Sequence, residues 1–284
     1  MKFIQSIFLS FCLLQLIGSC NLDKEIQIDI PEFENGYVIE SYLSPGQKLG
    51  VLVTKSYGFF EVFDSNQLSQ DQLIDIFVQD ADGYVEINDQ RHPLINEIQI
   101  VPGTTTVYNY VVHDKLNLKE KDRIKLFLSF PSGDQVWSET SIPEKRLIDS
   151  LRLEKNQDMK MREVSFIHTD SSKTEYFRRQ LLRIRDNRIK IIQDFMVDNS
   201  TLRSGKLAFG SGYEFKMGDT LISRVSHIRE EYFDFYQSVT GSINANSNPF
   251  GQPGSIAGNI RGSDRVIGIF TGINQSEIFT KIAE

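Results

Sequence analysis

Short runs of alternating apolar and polar residues, broken every eight to twelve positions by turn-forming residues, constrain this chain more than any other feature. In "RIKLFLSF" the residues Ile124, Leu126, Leu128 and Phe130 share one face, because successive side chains of a strand point to opposite sides of a sheet. "PSGD" then turns the chain into "QVWSETSIP". The same pattern marks "GYVIESYLS", "KLGVLVTKS", "EIQIVPG" and "TVYNYVVHD". "LIDIFVQ", with Ile74, Ile76 and Val78 on one face, is expected to pair with "YVEIN" through a "DADG" turn. Seven or more strands of this kind predict an immunoglobulin-like antiparallel β-sandwich over residues 36–143.

A second β-rich domain carrying one helix is expected over 144–284, so the fold class is mainly β. "LIDSLRLEK" and "REVSFIHTD" read as strands. "EYFRRQLLRIRDNRIKIIQDFMVD" has the Arg and Leu content of a helix, yet it also divides into two strands about Asp186-Asn187, and the strand reading is favoured over 176–195. "EFKMGDTLISRVSHI" suggests a hairpin about Gly218-Asp219. One helix is expected near 228–240, where Ile228, Tyr232, Phe235 and Val239 recur at spacings of four, three and four, with Gly241 as its stop. Gly, Pro, Ser and Asn dominate 241–262, which reads as a long loop.

The chain opens with Lys2, an apolar run from Phe3 to Ile17, and small residues before Cys20. That is the plan of a secretory signal over residues 1–19. As a helix the run spans only about 22 Å against a hydrocarbon core of about 30 Å, so removal is expected rather than a permanent span. "IGSC" resembles the bacterial lipobox, at which Cys20 would be acylated and become the mature N-terminus. The alternative is an ordinary signal with an incidental Cys20. Two or three acyl chains anchor a protein stably where one is marginal, and residues 20–35 would then be a tether. The other cysteine, Cys12, lies inside the leader, so the mature chain offers no thiol for a disulfide, a nucleophile or a metal.

Chemical motifs are scarce. A net charge of −7 argues against nucleic acid, whose binders present basic surfaces. "DADG" opens like a calcium loop with Asp80, Asp82 and Gly83, but the twelfth position holds Arg91 where an EF-hand needs a bidentate Glu. His92, His113, His168 and His227 have no ligand spacing, so neither metal nor cofactor is expected. No G-x-S-x-G elbow or phosphate-binding glycine loop occurs. The remaining catalytic option is a carboxylate pair of the glycosidase kind, whose members cannot be picked out of 38 acidic residues.

Aromatic residues are more suggestive. "SYGFFEVFD" sets Tyr57, Phe59, Phe60 and Phe63 within seven positions, and Tyr213 in "GSGYEF" and Phe250 in "NPFGQPG" pose the same choice. They are candidate contacts to a partner or ligand, since such residues are enriched at interface hot spots. The plainer alternative is that they close the end of the sandwich. Trp137 reads as core or half-buried packing.

The order "IDIPEFENGYVIESYLSPG", "SETSIPEKRLIDSL", "FKMGDTLISRVSHIREEYFDFYQSV", "NSNPF" and "AGNIRG" ahead of "GIFTG" resembles the Bacteroidota lipoprotein family catalogued as domain of unknown function 4249. The chain departs from that pattern where Ser263 to Ile267 separate the last two segments. The resemblance implies a β-rich outer-membrane lipoprotein, often encoded beside a TonB-dependent transporter, and it brings no catalytic residues. The expected function is therefore a non-enzymatic, lipid-anchored accessory protein that partners such a transporter in capturing an unidentified small-molecule, peptide or glycan cargo. The cell surface is favoured over the periplasmic face, because the acidic residues that follow Cys20 resemble the export signal of surface lipoproteins in that phylum. A structural or adhesive surface module is the alternative, and an anchored glycan hydrolase a more distant one.

Overall fold

Strands form where the alternation places most of them. A computed structural model of the chain describes residues 36–56, 75–101, 106–200, 205–246 and 255–283. The leader, Cys20 and the tether through residue 35 lie outside the described residues. The first half holds β1 (Tyr37–Leu43), β2 (Gly50–Lys55), β3 (Asp82–Ile87), β4 (Gln90–Pro93), β5 (Ile95–Ile100), β6 (Val107–Val111), β7 (Arg123–Ser129) and β8 (Gln135–Ser141). The second half holds β9 (Ile148–Lys155), β10 (Met161–His168), β11 (Tyr176–Arg185), β12 (Arg188–Asp198), β13 (Lys206–Gly210), β14 (Thr220–Ile228), the helix α1 (Glu230–Asn246) and β15 (Val266–Lys281).

An eight-stranded sheet in the order β12-β11-β14-β15-β1-β2-β6-β5 forms the backing of the fold. Its neighbours are antiparallel except β1 and β15, which run parallel with Tyr37 opposite Val266. A four-stranded sheet, β4-β3-β7-β8, and a three-stranded one, β13-β10-β9, complete the mainly β, sandwich-like fold. Ile39, Val53, Val85, Ile124, Leu126 and Phe270 belong to the core between β1-β2 and the four-stranded sheet. Ile167, Phe177, Phe209 and Val225 belong to a second core under the three-stranded sheet, with Leu181, Phe215 and Leu221 beside it. The inward positions are odd-numbered on β1, β11 and β14 and even-numbered on β15, so both small sheets cover one face. α1 takes the other face, where Tyr232 packs with Ile228 and Ile269.

Pro143 falls where one core gives way to the other, while β15 serves both, with Val266 and Phe270 in the first and Ile278 against the second. Residues 34–284 accordingly make one compact unit.

Three expectations need correction. Residues 75–79 are not a strand: Asp75 and Ile76 are helical and Phe77 makes a single bridge to Thr54. Ile74 lies outside the described residues. The buried Asn109 amide takes over the ladder there, its Nδ2 donating to the carbonyls of Val53 and Val78 at 2.9 and 2.7 Å while its Oδ1 accepts from the Val53 N–H at 2.7 Å. The hairpin forms one turn later, between β3 and β4 about Asn88-Asp89, whose φ values of 49° and 68° suit a tight two-residue turn. Gly218-Asp219 does turn the chain, but no hairpin results, because the fully buried Phe215 pairs with Met161 instead. The helix runs to Asn246 rather than stopping at Gly241, since an interior Gly costs only about 1 kcal/mol against Ala.

The strand reading of 176–195 holds: β11 and β12 pair about Asp186-Asn187, at φ 51° and 56°. Trp137 is 45% exposed on the outer side of β8, beneath the Arg261 guanidinium. Among the described residues no helix is long and apolar enough to cross a membrane.

Candidate functional site

β14 ends at Ile228, opposite Ile273, and the chain leaves the sheet there as α1. Glu230 and Glu231 in the first turn suit the positive end of the helix dipole. Each is also bonded, Glu230 to the Tyr176 hydroxyl at 2.9 Å and Glu231 to the Thr140 hydroxyl at 2.8 Å. On the N-terminal side of Ile273 the edge of β15 has no β14 partner, and Asn259 takes its place. The Asn259 amide donates to the Phe270 carbonyl at 2.8 Å and accepts the Phe270 N–H at 2.9 Å. Two glycines permit this approach: a Cβ at Gly258 would lie 2.4 Å from the Gly268 carbonyl oxygen, and Gly268 itself has φ +138°. The Ser238 hydroxyl on α1 accepts the Ala257 N–H at 2.9 Å, tying this segment to the helix.

The result is a cleft of about 640 Å³ between α1 and the outer face of the sheet, within the usual range for small-molecule sites. Val38, Glu40 and Tyr42 of β1 form its floor, Tyr108 of β6 a side, and Tyr232, Phe235, Tyr236 and Val239 of α1 its roof. The Tyr42 and Tyr232 rings meet at 5.1 Å with a 53° tilt. Tyr42 donates its hydroxyl to Glu40 Oε2 at 3.1 Å. Arg178 donates from Nε and Nη2 to both Asp194 oxygens at 2.8 and 2.7 Å, and from Nη1 to the Tyr232 hydroxyl at 2.8 Å. Burial, then the Glu40 charge, pushes the Tyr42 phenol far up and the Tyr108 phenol to about 12. Burial also raises Tyr232, with Arg178 acting in the opposite sense. These phenols therefore stay protonated at ordinary pH and can donate hydrogen bonds.

A second cleft of about 410 Å³ lies between the cores and is lined by Glu144, Lys173, Glu175 and His227. Its polar groups are engaged with one another. Arg146 donates to Glu175 Oε1 from Nε at 3.1 Å and from Nη2 at 2.5 Å, and the Asp170 N–H donates to Oε2 at 2.8 Å. His227 hydrogen-bonds the Glu144 carbonyl through Nδ1 at 2.6 Å and stacks on Phe177, and burial holds its pKa below the ordinary value. The arrangement reads as a polar joint rather than a ligand site.

Of the contact residues expected from sequence, Tyr213 is described. It is 38% exposed and lies under the Arg162 guanidinium, 4.9 Å from its ring centre, apart from the cleft lining. Tyr57, Phe59, Phe60, Phe63 and Phe250 lie outside the described residues, as does Cys20. His92 pairs with Asp114, His113 with Glu97 and His168 with Asp149. Among the described residues no three His, Cys, Asp or Glu side chains converge as a metal site would require. Sequence reading missed Glu40, Tyr42, Tyr108 and Arg178, and it assigned Tyr232 to packing alone. The available signal was in "YVIESYL", where Val38, Glu40 and Tyr42 share the face opposite Ile39 and Leu43.

The family model described as domain of unknown function (DUF4249) matches residues 23–278. The chain belongs to that family. No curated protein matches significantly. Among solved structures, the chain is similar to a crystal structure of a DUF4785 family protein from Legionella pneumophila subsp. pneumophila str. Philadelphia 1. The identity is 13%, the TM-score 0.23, and the match covers 66% of this chain. The match spans about half of that protein, 52% of its chain. Most of the described strands, both cores and the cleft residues named above fall within the segment that the family model matches.

Proposed function

We propose that the protein is a non-enzymatic binding module of the outer membrane, held there through acylated Cys20, which partners a TonB-dependent transporter and presents the helix-roofed cleft to an incoming nutrient. The observation that carries the binding part is the cleft itself: a concave site of about 640 Å³ whose walls are aromatic and aliphatic and whose few polar groups converge. Its machinery is that of recognition. Phenol donors, one carboxylate and one guanidinium surround the space, and Arg178 is already held in place by Asp194. The anchoring and the transporter partnership rest on the "IGSC" leader and on the resemblance in ordered segments. The outward face of the membrane suits capture of a cargo before uptake.

A pull-down of the tagged, acylated protein from its native membrane in mild detergent, followed by mass spectrometry, tests the reading. Recovery of a TonB-dependent transporter in near-equal amount, lost on Cys20→Ala or on Phe59→Ser with Phe60→Ser, is the expected result. Recovery of the protein alone, with wild type and variants behaving alike, would remove the accessory role.

A further inference from the structure

We infer that the cleft between α1 and β1 takes an organic ammonium group, held by the Glu40 carboxylate among the faces of surrounding tyrosines. This deepens the binding role proposed above and rests on it. Glu40 stands on the floor of the cleft, on the strand face opposite the fully buried Ile39. It accepts a hydrogen bond from Tyr42 at 3.1 Å, and among the described residues no Lys, Arg or His comes within ion-pairing distance of it. The cation that does line the cleft, Arg178, is neutralised by two bonds to Asp194. Among the described residues the balance of charge facing a ligand is therefore one negative charge. Tyr42, Tyr108 and Tyr232 all lie close enough to Glu40 for its charge to raise their pKa values.

Three physical consequences favour a cation. A neutral ligand that fills the cleft strips water from Glu40 and returns no partner, which is costly for a carboxylate. An anion adds like-charge repulsion to that loss. An ammonium group pairs with Glu40 and at the same time meets the negative faces of aromatic rings, the recognition mode of aromatic cages for alkylammonium ions. The apolar roof, Phe235 and Val239, suits the carbon substituents of such a group. The net charge of −7 on the whole chain adds a weak long-range pull of the same sign.

The test uses the full, detergent-solubilised protein with isotope-labelled isoleucine methyl groups, because Ile256, Ile267 and Ile273 line the cleft and report on it by NMR. Three probes of one shape are titrated: choline, its neutral isostere 3,3-dimethylbutanol, and the anion 3,3-dimethylbutanoate. The expected result is saturable shifts of these methyls with choline, at least tenfold weaker binding of the neutral isostere, and loss of that preference in Glu40→Gln. The Glu40→Gln spectrum should otherwise match wild type, which shows that the variant is folded. Equal binding of choline and dimethylbutanol, or a preference unchanged by Glu40→Gln, overturns the ammonium assignment while the cleft remains a binding site. Shifts from none of the three overturn the assignment and count against the binding role as well.

Discussion

Over β1 and β2 the inner face of the long sheet meets Val85, Ile124, Leu126 and Leu128, and the buried polar groups there include Ser41 and Asn109, both neutral and bonded to backbone. Over β11 and β14 the same face buries Glu163, Arg179 and Ser223 completely. Arg179 Nη2 lies 2.5 Å from one Glu163 oxygen and Ser223 donates to the other at 2.5 Å, with the guanidinium 5.6 Å from the centre of the Phe209 ring. Among the described residues Arg179 Nε has no hydrogen-bond partner. One sheet is thus covered by two kinds of core. The apolar one owes its stability to area and close packing and should yield gradually to substitution. The ionic one gains little net energy from the pair itself, because desolvation offsets attraction, but it fails sharply when one partner is removed.

The largest expected effect breaks the ionic side. Arg179→Ala or Glu163→Ala should cost about 3–5 kcal/mol in urea unfolding, because each leaves a buried charge alone. Replacing both, as Glu163→Leu with Arg179→Met, should recover most of that loss. Equal losses from the single and double variants would mean that packing rather than charge governs the site.

On the apolar side Leu126→Ala should cost about 2–5 kcal/mol, and Leu126→Met less than about 1.5 kcal/mol, with a smooth relation between volume removed and midpoint shift. A sharp failure of Leu126→Met would erase the contrast.

A smaller effect separates the two halves by pH. Burial lowers the pKa of His227 below the ordinary value of about 6.5, so the unfolded chain takes up a proton first on acidification. The stability that His227 contributes is complete above about pH 6.5 and is lost as pH falls through its folded pKa. Unfolding free energies measured between pH 7.5 and 5 should fall less steeply on acidification in His227→Gln than in wild type. An unchanged slope would show that another group carries it.

The smallest effect lies outside both cores. A Cβ at Gly241 meets nothing within 4 Å, so Gly241→Ala should stabilise α1 by about 0.5–1 kcal/mol, read as a rise in Tm.

Much of the fold was legible because half-buried strands write their inward face directly into the sequence. Ile124, Leu126 and Leu128 on β7 are the plainest case, and Asp186-Asn187 marked its hairpin through turn chemistry. The two misplaced hairpins share one cause, a partner distant in sequence, whereas the overrun of α1 past Gly241 is local, a glycine tolerated inside a helix. Ile76 and Val78 alternate like a strand, but the Asn109 side chain, 31 residues after Val78, occupies the hydrogen-bonding edge. Phe215 precedes an evident turn, yet its backbone partner is Met161. The cleft was harder still. Glu40 and Tyr42 sit on the polar face of β1 and look solvent-bound until α1, which begins 190 residues after Glu40 at Glu230, crosses above them. No local pattern announces such a crossing.

The most direct test of a ligand-binding cleft is enrichment by dialysis. The full protein, solubilised in detergent, is equilibrated against an extract of its growth medium, and the retained small molecules are compared by mass spectrometry with those of a filled-cleft variant. Gln275→Trp serves as that variant, because Gln275 lines the cleft from β15, and its Tm confirms that it is folded. Retention of one or a few compounds by wild type and not by Gln275→Trp is the expected result. Identical profiles for the two proteins would contradict a binding role for the cleft.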